Sequence, residues 1–323
     1  MLNIENYIDG TLTPPSHNDF IDVYNPSTGK VYAQCPDSSI KDLDSAIESA
    51  KSSLSLWSGL SQQKRSEFIF TIADKIEAKL DKFAIAESTD NGKPISLSKS
   101  LDIPRSIKNL RFFAKLALNK ENLIFHQENV TSKVMKQPIG IVGTISPWNL
   151  PLYLFTWKIA PALVSGNCVI AKPSEITPYS AYLFSKVCME AQLPSGVLNI
   201  LHGRGELIGS EIVKHKKIKA ISFTGGTKTG KKIAKETSKK MKKISLEMGG
   251  KNPVIIFDDC DYNKMINSIL KSSFLNQGQI CLAGSRIYIQ DTIYEKFKKD
   301  FLIRIKKMKI GNPFKKNIDQ GAI

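Results

Sequence analysis

Ile139-Gly140-Ile141-Val142-Gly143-Thr144-Ile145 is the first of five short apolar runs in this chain. The others are Cys168–Ala171, Val197–Leu201, Ala220–Phe223 and Pro253–Phe257, and segments of helical length separate most of them. Strands alternating with helices predict an α/β fold, a parallel sheet with helices on both faces. On such a sheet ligands bind beyond the carboxyl ends of the strands. Upstream, residues 3–35 read as short strands and turns, punctuated by Asp9-Gly10 and Asn25-Pro26. Leu43, Ile47, Ala50, Leu54 and Trp57 recur at three- and four-residue steps and predict an amphipathic helix. Ser61 is placed to cap another, with Phe68, Ile72, Ile76 and Leu80 inward, and Asn91-Gly92-Lys93-Pro94 stops that region. Residues 122–135 are polar and read as an excursion from the main body.

A length of 323 residues allows two domains or one large one, and 41% hydrophobic with 24% charged residues is ordinary for a soluble globular chain. The formal net charge is +16, but only six of the 46 basic residues are arginines. The lysines are scattered among Glu and Asp and spaced like solvated helix faces, so no nucleic-acid partner is expected. A basic surface still draws anionic small molecules toward a cleft. The five cysteines form no CxxC pair and there are only four histidines, which argues for a reducing compartment and against disulfides or a metal site. Met1-Leu2-Asn3-Ile4-Glu5-Asn6 has neither a basic nor an apolar leader region, and Leu150–Ala171 is interrupted by Lys158, Pro161 and Gly166. A cytoplasmic location and no membrane partner are therefore expected.

Three segments carry chemistry. Cys281 ends the run Asn276-Gln277-Gly278-Gln279-Ile280-Cys281, and Glu247 lies in Leu246-Glu247-Met248-Gly249-Gly250-Lys251. A thiol with a carboxylate able to act as a base is the minimum kit for covalent acyl chemistry. Ser146-Pro147-Trp148-Asn149-Leu150-Pro151 adds an amide that could hold an oxyanion. Singly, each has a plain alternative: a small buried hydrophobe, a solvent-facing carboxylate, a turn residue. Two further segments suit a nucleotide. Ala171-Lys172-Pro173-Ser174-Glu175 follows a buried strand, where Lys172 and Glu175 could bond ribose hydroxyls and Glu175 would repel a 2′-phosphate. Gly225-Gly226-Thr227-Lys228-Thr229-Gly230 follows another strand and opens a helix, offering backbone N–H groups to phosphate. The strict GxGxxG spacing is absent, and Gly203-Arg204-Gly205 with Gly209 is equally loose.

Together these segments resemble the aldehyde dehydrogenase superfamily, from Tyr7-Ile8-Asp9-Gly10 to the last residues. The resemblance implies NAD(P)-dependent oxidation of a small-molecule aldehyde to an acid. It implies a Rossmann-type NAD-binding domain over 1–120 and 136–246 and an oligomerisation excursion over 121–135. Residues 247–323 would be the incomplete first part of a second α/β catalytic domain. It implies Cys281 as nucleophile, Glu247 as general base and Asn149 as oxyanion donor. NAD, in preference to NADP, would be bound by Ile145, Trp148, Lys172, Ser174, Glu175, Gly205, Gly225, Gly226, Gly230 and Met248. Gly226 departs from the serine often found there, which removes one phosphate contact.

Asp102-Ile103-Pro104-Arg105, Asn109–Ala114 and Leu150–Pro161 are similar to the branch that oxidises 2-aminomuconic and 2-hydroxymuconic semialdehydes. That implies Arg105 as the grip on a substrate carboxylate, with Leu150, Leu154 and Trp157 as apolar walls. The other reading of Arg105 is an exposed helix residue paired with Asp102. Against that family the chain stops early at Ile323, so it is expected to be C-terminally truncated, weak or inert alone, and a homo-oligomer in full-length form. A broad-range aldehyde oxidiser and a non-catalytic NAD-binding fragment stay open as alternatives.

Overall fold

The computed structural model describes residues 1–119 and 123–322. Five short strands open the chain: β1 (Leu2–Asn3), β2 (Asn6–Ile8), β3 (Thr11–Thr13), β4 (Phe20–Asn25) and β5 (Lys30–Pro36). The Asp9-Gly10 pair closes the β2–β3 hairpin with φ of 52° and 78°, the left-handed turn that pairs of this kind favour.

The predicted amphipathic helix spans Ile40–Gly59, capped by Ser39 in a capping box with Asp42. It buries Leu43, Ile47, Ala50 and Trp57 as the periodicity requires, and Leu54 is half-buried. Ser61 caps the next helix, Gln62–Glu77, by accepting from the Lys64 N–H. Leu80 lies beyond that helix and begins another, Leu80–Asn91, which ends at left-handed Gly92 (φ 76°). The helix Ile103–Leu118 follows.

The excursion is an exposed hairpin of β6 (Leu123–Gln127) and β7 (Val130–Val134). Its first two residues, 121–122, lie outside the described residues.

The chain then builds β8 (Ile141–Ile145), β9 (Cys168–Lys172), β10 (Leu198–Ile200), β11 (Ile218–Gly225) and β12 (Lys243–Met248). With β2 and β3 they form a seven-stranded sheet in the order β12-β11-β8-β9-β10-β2-β3. The five from β8 to β12 pair in parallel, and β2 joins β10 antiparallel. Every residue of β8 and β9 is buried, as continuous apolar strands covered on both faces must be. The edge strand β12 is mostly exposed and carries the sheet through Met248.

The fifth apolar run does not enter this sheet. It becomes β13 (Asn252–Ile256), which pairs in parallel with β14 (Gly284–Ile289) alone. A separate small core of Ile256, Ile266, Ile269 and Phe297 packs beneath that pair.

The helix Pro151–Val164 links β8 to β9, and its last turn is held by distant side chains. The Trp57 indole N–H donates to Leu163 O at 3.0 Å, and Arg65 Nε donates to Val164 O at 3.0 Å. The helix is also tied to Ile103–Leu118 through Asn109, whose amide donates to Tyr153 O and Thr156 Oγ1.

Candidate active site

A cleft of about 690 Å³ opens at the carboxyl ends of β8, β9 and β11. Ile145, Trp148, Lys172, Ser174, Glu175, Gly205, Gly225 and Gly226 line it, eight of the ten cofactor residues expected from sequence. Gly230 and Met248 do not line it. They meet each other instead: a Cβ at Gly230 would collide with the Met248 sulfur, so the glycine lets the helix Thr227–Ser238 approach β12. Gly203 (φ 140°) serves a tight turn, where a Cβ would sit 2.9 Å from Ser38 N.

Lys172 is buried and donates from Nζ to Pro173 O and Glu175 Oε2, both at 2.8 Å. The other Glu175 oxygen accepts the Gly205 N–H at 3.2 Å. Burial works against the Glu175 charge, but the Lys172 ammonium beside it holds the carboxyl below its usual range. An ionised carboxylate is thereby fixed at the cleft edge. Gly226 begins the helix Thr227–Ser238, and a Cβ there meets open space. The cleft thus offers an uncovered helix N-terminus beside a buried lysine and a fixed carboxylate. That donor set fits a dinucleotide.

Cys281 is exposed at the end of an unusual turn. Asn276, Gln277 and Gly278 all have left-handed backbones, with φ of 54°, 57° and 71°. Non-glycine residues rarely adopt that region, and two together need outside support. Asn149 meets this turn: its Nδ2 donates to Gln279 O at 2.8 Å. In return the Asn276 amide donates to Asn149 O at 3.0 Å. The same carbonyl accepts from Lys93 Nζ at 3.2 Å and Asn91 Nδ2 at 3.4 Å. Asn252 donates to Cys281 O at 2.6 Å and to Ala283 O at 3.1 Å. The Cys281 and Asn149 segments, 132 residues apart in sequence, are therefore bound directly to each other.

Glu247 is exposed on β12, in register with Thr224 of β11. Nearby, Lys158 is buried and donates to Ser222 Oγ at 3.4 Å. Burial pushes its ammonium down to about 8, with the Glu247 charge acting in the opposite direction. Sequence reasoning saw Lys158 only as an interruption of an apolar stretch, though a lone lysine inside a buried helix was the available signal.

Lys93 also escaped as a site residue. It is 0% exposed, ion-paired with Asp102 and 3.8 Å from Glu87 Oε1. Asp102 thus belongs to Lys93 and not to Arg105, which corrects the pairing considered for that arginine. Arg105 is exposed, with its guanidinium 5.7 Å from the Tyr153 ring centroid. Among the described residues no carboxylate lies within ion-pair distance of it. Tyr153 in turn meets Trp157 edge-on at 6.3 Å, and Phe113 meets the same indole at 5.5 Å. Leu150 is buried at the helix start, Leu154 is half-buried and Trp157 is 40% exposed.

The five cysteines are free, and among the described residues no group of His, Cys, Asp and Glu is placed to hold a metal. Among them, too, no helix is long and apolar enough to cross a membrane.

Comparison with known proteins gives this arrangement its family. The Aldehyde dehydrogenase family matches residues 13–323. The human protein named 2-aminomuconic semialdehyde dehydrogenase is 43% identical over 325 aligned residues, covering 100% of this chain and 66% of that protein. The 2-hydroxymuconic semialdehyde dehydrogenase of Pseudomonas sp. (strain CF600) is 37% identical, covering 97% of this chain and 66% of that protein. The NAD+ complex of an aldehyde dehydrogenase from Bacillus cereus superposes with a TM-score of 0.96 at 32% identity, covering 99% of this chain and 66% of that one. This chain belongs to the aldehyde dehydrogenase family and has its α/β fold. Among the relatives it resembles are semialdehyde dehydrogenases, and it spans about two thirds of their length.

Proposed function

We propose that this chain carries the cofactor cleft and nucleophile of an NAD-linked dehydrogenase that converts an acidic semialdehyde to a carboxylic acid. The observation that carries the reading is the direct bond between the Asn149 amide and the Cys281 turn, beside a cleft suited to a dinucleotide. Lys172, Glu175 and the backbone at Gly225-Gly226 would hold NAD, and the fixed Glu175 carboxylate disfavours a 2′-phosphate. NAD, when bound, supplies the hydride acceptor.

The protein's own residues do the rest. The Cys281 thiolate adds to the aldehyde carbon. Asn149 spends one amide hydrogen on Gln279 O and keeps the other for the oxyanion, alongside the Cys281 N–H. After oxidation a thioester remains on Cys281, and Glu247 activates water to hydrolyse it. A base in that role yields a free acid. Arg105, over the Tyr153 ring and with no carboxylate partner among the described residues, would take the substrate carboxylate.

The bounds of an NAD-binding unit at 1–120 and 136–246, and of a catalytic unit from 247, belong to the same proposal. So does the pairing of two copies through the exposed β6–β7 hairpin. NADH formation with an acidic semialdehyde tests the reading. Cys281→Ser is expected to lower it by at least about 10³-fold with NAD affinity unchanged; undiminished turnover would overturn the assignment.

A further inference from the structure

The Cys281 turn needs a clamp. Asn276, Gln277 and Gly278 hold left-handed backbones in succession, a costly arrangement that persists only when its surroundings over-determine it. One side chain from far along the chain grips both ends. Gln320 Oε1 accepts the Gln277 N–H at 3.0 Å, and Gln320 Nε2 donates to Phe274 O at 2.7 Å. Gln277 answers from its own amide, donating to Ala322 O at 2.6 Å. Gln320 is buried, and its backbone is fixed in turn by Lys309 O and by the Gly311 N–H.

The same strap touches the other side of the site. Pro313 O accepts the Ile95 N–H at 2.9 Å, just after the Asn91–Pro94 turn. Gly321 lies so close to Gly92 that a Cβ would overlap the Gly92 carbonyl. Asn91 and Lys93, on either side of Gly92, are two of the donors that hold Asn149 O. Residues 309–322 therefore brace both partners of the reaction centre from behind.

We infer that Gln320 is a positioning residue, which locks the left-handed turn and so aims Cys281 at the Asn149 amide. It touches no reacting atom. The inference rests on Cys281 as nucleophile, yet its failure is distinguishable: it concerns the geometry of the turn, whatever Cys281→Ser does to turnover.

The test uses the full chain with Gln320→Ala and Gln320→Glu. A protonated glutamic acid reproduces the amide, with a carbonyl for the Gln277 N–H and a hydroxyl for Phe274 O. Its ionised form loses the donor. The readout is the rate of Cys281 modification by a pyridyl disulfide, taken from peptide masses with Cys260 as internal reference. NAD affinity reports on the cleft built on β8, β9 and β11.

Gln320→Ala is expected to change the Cys281-to-Cys260 rate ratio by more than about threefold and to raise amide exchange over residues 275–283 by about tenfold, with NAD affinity unchanged. Gln320→Glu is expected to match the parent near about pH 5 and Gln320→Ala near about pH 8. A parent-like ratio in Gln320→Ala overturns the inference. So does a Gln320→Glu ratio that follows the parent across that range, which decides the matter alone if the alanine variant does not fold.

Discussion

The β8–β9 cleft and the Cys281 turn are built by different physics. The cleft sits on β8 and β9, whose ten residues are all buried, six of them in the main apolar core, so apolar packing sets its shape. The turn sits above β13 and β14, in which only Ile256 and Gly284 are buried. Polar side chains fix it instead: Asn149, Asn252, Asn276 and Gln320, with Lys93 behind them. Hydrogen bonds depend on geometry more steeply than burial does. The cleft should therefore tolerate conservative substitution, while single polar changes near the turn should be costly.

The largest expected effect breaks that comparison at its charged node. Lys93→Met strands Asp102 and Glu87 in the interior and is expected to lower stability by about 3–5 kcal/mol. Denaturant titration measures it, and adding Asp102→Asn should recover part of the loss. Next comes Asn149→Ala, expected to reduce kcat by about 10²–10³-fold through loss of an oxyanion donor, with little change in NAD affinity. Steady-state kinetics on the form that turns over checks it. Arg105→Ala is expected to raise KM for an acidic semialdehyde by about 10–100-fold, the worth of a hydrogen bond to a charged group. A neutral aldehyde of similar size should be unaffected, and equal effects on both would favour a broad-range oxidiser. The smallest effect sharpens the comparison from the cleft side. Gly226→Ser adds a hydroxyl in open space at a helix N-terminus and is expected to tighten NAD binding by about two- to fivefold, read by titration.

What the sequence made legible follows the same division. Buried parallel strands are continuous apolar runs, so β8 to β11 could be read directly. The edge strand β12, Lys243-Ile244-Ser245-Leu246-Glu247-Met248, alternates in polarity and did not register as a run, although its Glu247 did. The segments bearing Cys281, Glu247 and Asn149 stood out because each is a short local motif. Their supports were not. Asn276 and Gln277 are left-handed without being glycine, Lys93 looked like part of a stop signal, and Gln320 lies 39 residues beyond Cys281. Each acts through contacts that only the folded chain creates. Residues 276–278 also show why a turn that departs from local preference marks a site: neighbours must hold it in place.

The last turn of the helix Pro151–Val164 passes its carbonyls to Trp57 and Arg65. The segment bearing Leu150, Leu154, Trp157 and Lys158 is therefore moored at the end away from Asn149, by two buried residues, Trp57 and Arg65. Under the proposed function, drift at either mooring would be felt in which aldehydes are accepted and how fast. A map of functional positions drawn by proximity to the thiol alone would leave both off.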